Sequence, residues 1–261
     1  MKKRKARSWK FRVLAAVLCL CPLLILPAMA GVADTTYYNT GILTTSETIK
    51  VMGMAKGEVV VMTPSDDVCY TGETAEQMII DGDVKVITVP GVGSSSVGTA
   101  AFAKHVATIL DEPVAGIVVG YGDGSIYTEG PQGYFIGRSS NVLGIWYEEP
   151  ASRTLVELYE AGARPELLVG HSKGNMDIAN ALFKMYNEGN QSLYQGVTFK
   201  TFGCGVNVPA GLGSFQQYIG TLDTLGYANT VSWSNMTYVF GRYHTTNPFY
   251  AFTYMPIQNY L

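Results

Sequence analysis

The chain has 261 residues, 47% of them hydrophobic and 15% charged, with a formal net charge of −3. Seven of its 18 basic residues (Lys2, Lys3, Arg4, Lys5, Arg7, Lys10 and Arg12) and none of its acids fall in the first thirty positions, which leaves 11 basic against 21 acidic residues and a net charge of −10 beyond them. That balance excludes a nucleic-acid partner. The length fits one domain with a sizeable core. His105, His171 and His244 are far apart and no Cys-x-x-Cys occurs, so neither a metal site nor another cofactor site is expected.

The basic start, the apolar run Val13 to Leu26 and the small-x-small sequence Ala28-Met29-Ala30 read as a signal peptide cleaved before Gly31. The apolar run is short for a membrane anchor, and neither Cys19 nor Cys21 follows the small residues of a lipoprotein site. Residues 1–30 are therefore expected to leave a secreted or periplasmic domain, 31–261. Its two cysteines, Cys69 and Cys204, are free to pair or to stay reduced, and the sequence does not choose.

From Gly31 to Asp81 the signals are strand-like and loop-rich. Thr48 to Met54 and Glu58 to Met62 predict a hairpin around the turn Ala55-Lys56-Gly57. Val84 to Val89 is a β-branched run suited to an inner strand. It enters the loop Pro90-Gly91-Val92-Gly93-Ser94-Ser95-Ser96, and a helix follows with Ala101, Phe102, Val106 and Ile109 apolar, ended by Pro113. Val114 to Gly120 is a second buried strand. The next 31 residues, 121–151, hold Tyr121, Tyr127, Tyr134, Phe135, Ile136, Trp146 and Tyr147. They predict either a lid or acyl-binding wall, or an extra hairpin packed into the core.

Ser152 to Gly162 has helical spacing in Leu155, Leu158 and Tyr159. Leu167 to Val169 is a short apolar strand that runs into Gly170-His171-Ser172-Lys173-Gly174. A helix follows, with Met176, Ile178, Ala179, Leu182, Phe183 and Met185 on one broad face, to Glu188-Gly189. Val197 to Phe202 and Val231 to Phe240 are further β-prone stretches, and only one clear strand lies between Phe202 and His244. Strand, helix, strand, helix and strand in succession predict an α/β fold with a mostly parallel central sheet flanked by helices.

A serine exposed at the end of a strand takes a strained backbone, and the helix after it packs close by. The residues two before and two after must then be very small, as Gly170 and Gly174 are. With 29 glycines in the chain, composition alone yields about 0.2 such matches. This motif between its strand and helix resembles the α/β-hydrolase superfamily, in particular its serine esterases and lipases, over roughly Val84 to Pro248. The resemblance implies the α/β-hydrolase fold, a nucleophile, acid and histidine in that chain order, and two amides that bind an oxyanion. Those amides are Lys173, next after the serine, and Val92 or Gly93 in the loop after the Val84 to Val89 strand.

A serine hydroxyl needs a base within reach, and the base needs an acid to orient it. His171 is inside the turn and its side chain is expected to point elsewhere; His105 is a helical histidine. His244 remains, in a loop after the last strand, where the resembling enzymes carry their base. The acids after Ser172 are Asp177, Glu188 and Asp223. Asp177 fits a helix-dipole position and Glu188 closes that helix, whereas Asp223 lies between the nucleophile and His244 as the resemblance requires. Asp123, before the serine, is the alternative. The expectation is an exported serine hydrolase that cleaves small-molecule or lipid carboxylic esters through an acyl-enzyme, with Ser172, His244 and Asp223 as its triad. Acyl transfer by the same residues, or a non-catalytic binding protein on that scaffold, are the alternatives. The sequence gives no oligomeric state.

Overall fold

The structure, a computed structural model, describes residues 33–120 and 129–261. The expected leader, Tyr121, Asp123 and Tyr127 lie outside them. The chain opens with helices α1 (Ala33–Tyr37) and α2 (Thr45–Val51), then strands β1 (Val59–Met62) and β2 (Cys69–Thr71), and helix α3 (Glu73–Ile80). The unit β3 (Val86–Val89), α4 (Ser96–Leu110), β4 (Val114–Ile117) follows, and then helices α5 (Glu129–Leu143) and α6 (Pro150–Glu160). The second half holds β5 (Leu167–His171), α7 (Lys173–Asn187), β6 (Thr198–Phe202), β7 (Ser214–Gly220), α8 (Thr224–Asn229) and β8 (Met236–Val239).

The strands form one eight-stranded sheet in the order β2-β1-β4-β3-β5-β6-β7-β8. β1 runs antiparallel to β2 and β4, and every pair from β4 to β8 is parallel. This is the expected α/β architecture. All four residues of β1, β3 and β4 are buried, as befits inner strands covered on both faces. Side chains alternate between two cores. Ile87, Val89 and Leu168 face α6 and α7, while Val86, Val169 and Phe202 face α4 and the two ends of the described chain.

Three local readings are corrected. Thr48 to Val51 belongs to a helix, because Thr44 and Glu47 form a reciprocal capping box that starts it. The hairpin is instead made by β1 and β2. A second strand, β7, lies between Phe202 and His244. Its signal was masked by Gln216 and Gln217: Gln217 is buried, accepts from Val206 N at 2.7 Å and donates to Ser234 O at 2.6 Å. Finally, the 129–143 part of the long insert is neither hairpin nor bare loop. It is a helix against α7, and Asn141 clamps it to Asn207 with two bonds of 2.9 Å. No helix among the described residues is long and apolar enough to cross a membrane.

Lys104, buried on α4, meets Glu47 at 2.9 Å and the Ser65 carbonyl at 2.6 Å. Removing the cation strands a buried carboxylate. Lys104→Met is therefore expected to destabilise the fold by about 3–5 kcal/mol. Lys85→Met, which breaks the solvent-exposed pair with Glu166, should cost less than about 1 kcal/mol. Urea denaturation of both variants measures the contrast.

Candidate active site

β5 carries the chain into a sharp turn at Ser172, which adopts φ +54° and ψ −123° and caps α7 without using its side chain. A non-glycine residue there is strained, so the surroundings must hold it. The Ser172 amide donates to Phe202 O at 2.9 Å. Asn175 Nδ2 donates to Phe202 O and Cys204 O at 2.9 and 3.0 Å, and the Cys204 thiol donates back to Ser172 O at 3.0 Å. The turn is thus bolted to the end of β6. The flanking glycines are required by close approach. A Cβ on Gly174 would stand 2.1 Å from Val89 O, and one on Gly170 would stand 2.2 Å from Asn175 Oδ1.

Ser172 Oγ lies 2.8 Å from His244 Nε2. His244 Nδ1 lies 2.9 and 2.8 Å from the two carboxylate oxygens of Asp223. A carboxylate can only accept, so Nδ1 carries the ring proton and Nε2 is left to accept from the serine hydroxyl. Asp223 follows β7 and is itself fixed as the N-cap of α8, accepting from Gly226 N at 2.6 Å. The three side chains, 21 and 72 residues apart along the chain, are all buried, which strengthens the bonds between them. The arrangement can take a proton from Ser172 and stabilise the imidazolium that results.

The other expected residues are placed as follows. Lys173 is the first residue of α7, so its amide is one that the helix itself does not use. Its ammonium is buried and bonds both Asp177 oxygens at 2.9 Å, with Glu149 at 3.6 Å. Asp177 is therefore an ion-pair partner of Lys173 rather than a solvated helix-dipole residue. Burial pushes the Asp177 and Glu149 carboxyls up, against the pull of Lys173. Val92 and Gly93 lie in the loop after β3. That loop passes beside Ser172, since a Cβ on Gly91 would stand 2.9 Å from Ser172 Cβ. The Gly91 amide itself donates to Tyr38 Oη at 2.7 Å.

Glu188 is paired with Lys184 at the far end of α7, and His105 is half-buried on α4, lowered by burial to about 4. Cys69 and Cys204 are both free and buried. Among the described residues no group of three or more His, Cys, Asp or Glu is arranged to hold a metal. A cleft of about 620 Å³ lined by Lys85, Arg164 and Lys200 opens where the parallel strands begin, at the opposite end from Ser172.

Sequence reasoning missed Tyr38, Asn175 and Cys204, and the use to which His171 is put. The His171 ring points elsewhere than the Ser172 hydroxyl, as expected, and bridges Tyr38 Oη and the His244 carbonyl at 2.7 Å each. Only its place inside the turn motif could have drawn attention to it. Comparisons with protein-family models, with characterised proteins and with solved structures find no match for this chain.

Burial, followed by the neighbouring His244, holds the His171 ring down to about 3. An unfolded histidine protonates near 6.5, so between about pH 6.5 and 3 the unfolded chain takes up a proton that the folded one refuses. His171 thus costs stability progressively as the pH falls through that window. Carboxyl titrations are common to wild type and His171→Gln. The destabilisation caused by His171→Gln at pH 7 is therefore expected to shrink by about 1 kcal/mol per pH unit below 6, as measured by urea denaturation from pH 7 to 4.

Proposed function

We propose that this protein is an exported serine hydrolase that cleaves carboxylic esters of small molecules or lipids. The observation that carries the reading is the continuous set of bonds from Ser172 Oγ through His244 to Asp223, built on a strained turn. Three nearby groups arranged as nucleophile, base and orienting acid serve that chemistry and few others. The finer fold reading, an α/β-hydrolase, is supported by the strand order and by where the groups sit. The nucleophile follows a central strand, the acid follows β7 and the histidine follows β8.

In the proposed reaction Ser172 Oγ attacks the ester carbonyl carbon while its proton passes to His244 Nε2. The positive ring is stabilised by the carboxylate of Asp223. The carbonyl oxygen, now an anion, is bound by the Lys173 amide and by Val92 or Gly93 in the facing loop; a fixed donor of this kind contributes about 10²–10³-fold to rate. His244 returns the proton to the leaving alcohol as the C–O bond breaks. Water then attacks the acyl carbonyl carbon, giving a proton to His244, which passes it to Ser172 Oγ as the acyl C–O bond breaks and the carboxylic acid departs. Removal of residues 1–30 on export completes the proposal.

A fluorophosphonate should label wild-type protein, and labelling should vanish in Ser172→Ala and His244→Ala. Labelling that survives in Ser172→Ala would sink the assignment. Asp223→Asn keeps an effective helix cap but loses the anionic partner of the His244 ring. It is expected to remain folded by circular dichroism while kcat on p-nitrophenyl butyrate drops by about 10³–10⁴-fold.

A further inference from the structure

Two loops carry the proposed chemistry: the one after β3, with Gly91 to Gly93, and the one bearing His244. No strand pairing joins them. A five-residue segment from the start of the described chain does. Asp34 accepts from the Ser95 amide at 2.9 Å and from the Ser95 hydroxyl, in a seat that exists because residue 98 is glycine, whose Cβ would otherwise lie 2.1 Å from Asp34 Oδ1. On the other side, Asn247 Nδ2 donates to Thr35 O at 2.6 Å and Thr245 Oγ1 donates to Thr36 O at 2.6 Å. Both the amide and the hydroxyl of Thr246 donate to Tyr37 O, at 3.1 and 2.8 Å. The Tyr37 ring meets the His244 ring edge to face at 5.7 Å between centroids.

The last link has a defined polarity. The His244 carbonyl can only accept, so His171 Nε2 carries the proton and donates to it. The neutral ring must then accept at Nδ1, so the Tyr38 hydroxyl donates there and accepts from the Gly91 N–H. Burial favours both protonation states, holding Tyr38 protonated and His171 uncharged. One hydrogen-bonded line therefore runs from Gly91 through Tyr38 and His171 to the main chain of His244, with no member free to reverse.

We propose that Asp34–Tyr38 is a strap that sets the distance between the base and the oxyanion-binding loop, with Tyr38 and His171 as its positioning residues. The inference rests on the hydrolase reading above. Neither residue hydrogen-bonds to Ser172 Oγ or to the His244 ring nitrogens, although the His171 ring packs against the His244 ring at 4.9 Å between centroids. Tyr38 fixes where the loop after β3 lies relative to Ser172, and His171 fixes the depth at which the His244 loop sits.

The test is Tyr38→Phe, which keeps the ring in the core and removes only the hydroxyl. With p-nitrophenyl butyrate as the reporter ester, kcat should fall about 10- to 100-fold while KM stays within about threefold. The fluorophosphonate labelling rate should fall by the same factor as kcat, and the downfield proton resonance of His244 Nδ1–H should shift. Thr246→Val, which removes one of two donors to Tyr37 O, should lower kcat severalfold at an unchanged melting temperature, and it decides the matter if Tyr38→Phe does not fold. Folded variants that turn over and label at the wild-type rate overturn the strap, even if they melt earlier, and leave Ser172 as the nucleophile. Wild-type protein that is not labelled at all removes the hydrolase reading and the strap together.

Discussion

The backbone of Ser172 is the constraint around which the rest of the site is organised. Holding a β-carbon at φ +54° costs about 1–3 kcal/mol, and such a turn persists only where its neighbours over-determine it. Here they do so through main-chain groups. The end of β6 supplies Phe202 O to both the Ser172 amide and Asn175, and Cys204 closes the loop onto Ser172 O. The sheet register is therefore tied to the position of one hydroxyl. Shifting β6 by a residue against β5 would remove the acceptor and release the turn. The same closeness forces glycine at 174, where the helix lies against the carbonyls of Val89 and Pro90.

Around that turn charge is confined to separate compartments. Lys173, adjacent to the serine, is drawn off by Asp177 and Glu149, so its ammonium is spent within a buried ion cluster. His171, on the other flank, is kept neutral by burial and serves as a directional connector. Asp223 is the one acid that reaches the His244 ring among the described residues. The result is a buried site in which Ser172, His244, Asp223, Lys173 and the His171 ring each have a fixed partner, while Asn175 Oδ1 and Ser94 Oγ are buried without one. Fixed pairing is the condition under which buried hydrogen bonds rigidify a structure instead of weakening it.

Much of the chain from Val84 onward was legible because its elements are strongly patterned. The helix over Ser96–Leu110, the helix Pro150–Glu160 and the strand Leu167–His171 fall where apolar spacing puts them, within one or two residues at most of their ends. The failures have different causes. Thr48 to Val51 has β-branched residues, yet the capping box at Thr44 and burial of Val51 decide for helix. Ser214–Gly220 carries two glutamines, and a buried Gln217 that bonds main-chain groups on both sides is indistinguishable in sequence from a surface residue. The insert 129–143 is weakly amphipathic and takes helical form against α7, a tertiary decision.

Local periodicity, and sterics within a few residues, carried the α/β succession and the place of Ser172 between two small residues; the order of Ser172, Asp223 and His244 along the chain took its meaning only from the resemblance to the α/β-hydrolases. Tertiary structure alone decided that His244 reaches Ser172 and Asp223 reaches His244 at hydrogen-bond distance, and that Tyr38 is wired to His171 across 133 residues of chain. Those contacts join positions whose separation carries no periodic signal. They exist because a parallel sheet gathers the loops at the carboxyl ends of its strands into one place, and no pattern within any single loop records which neighbours it will meet.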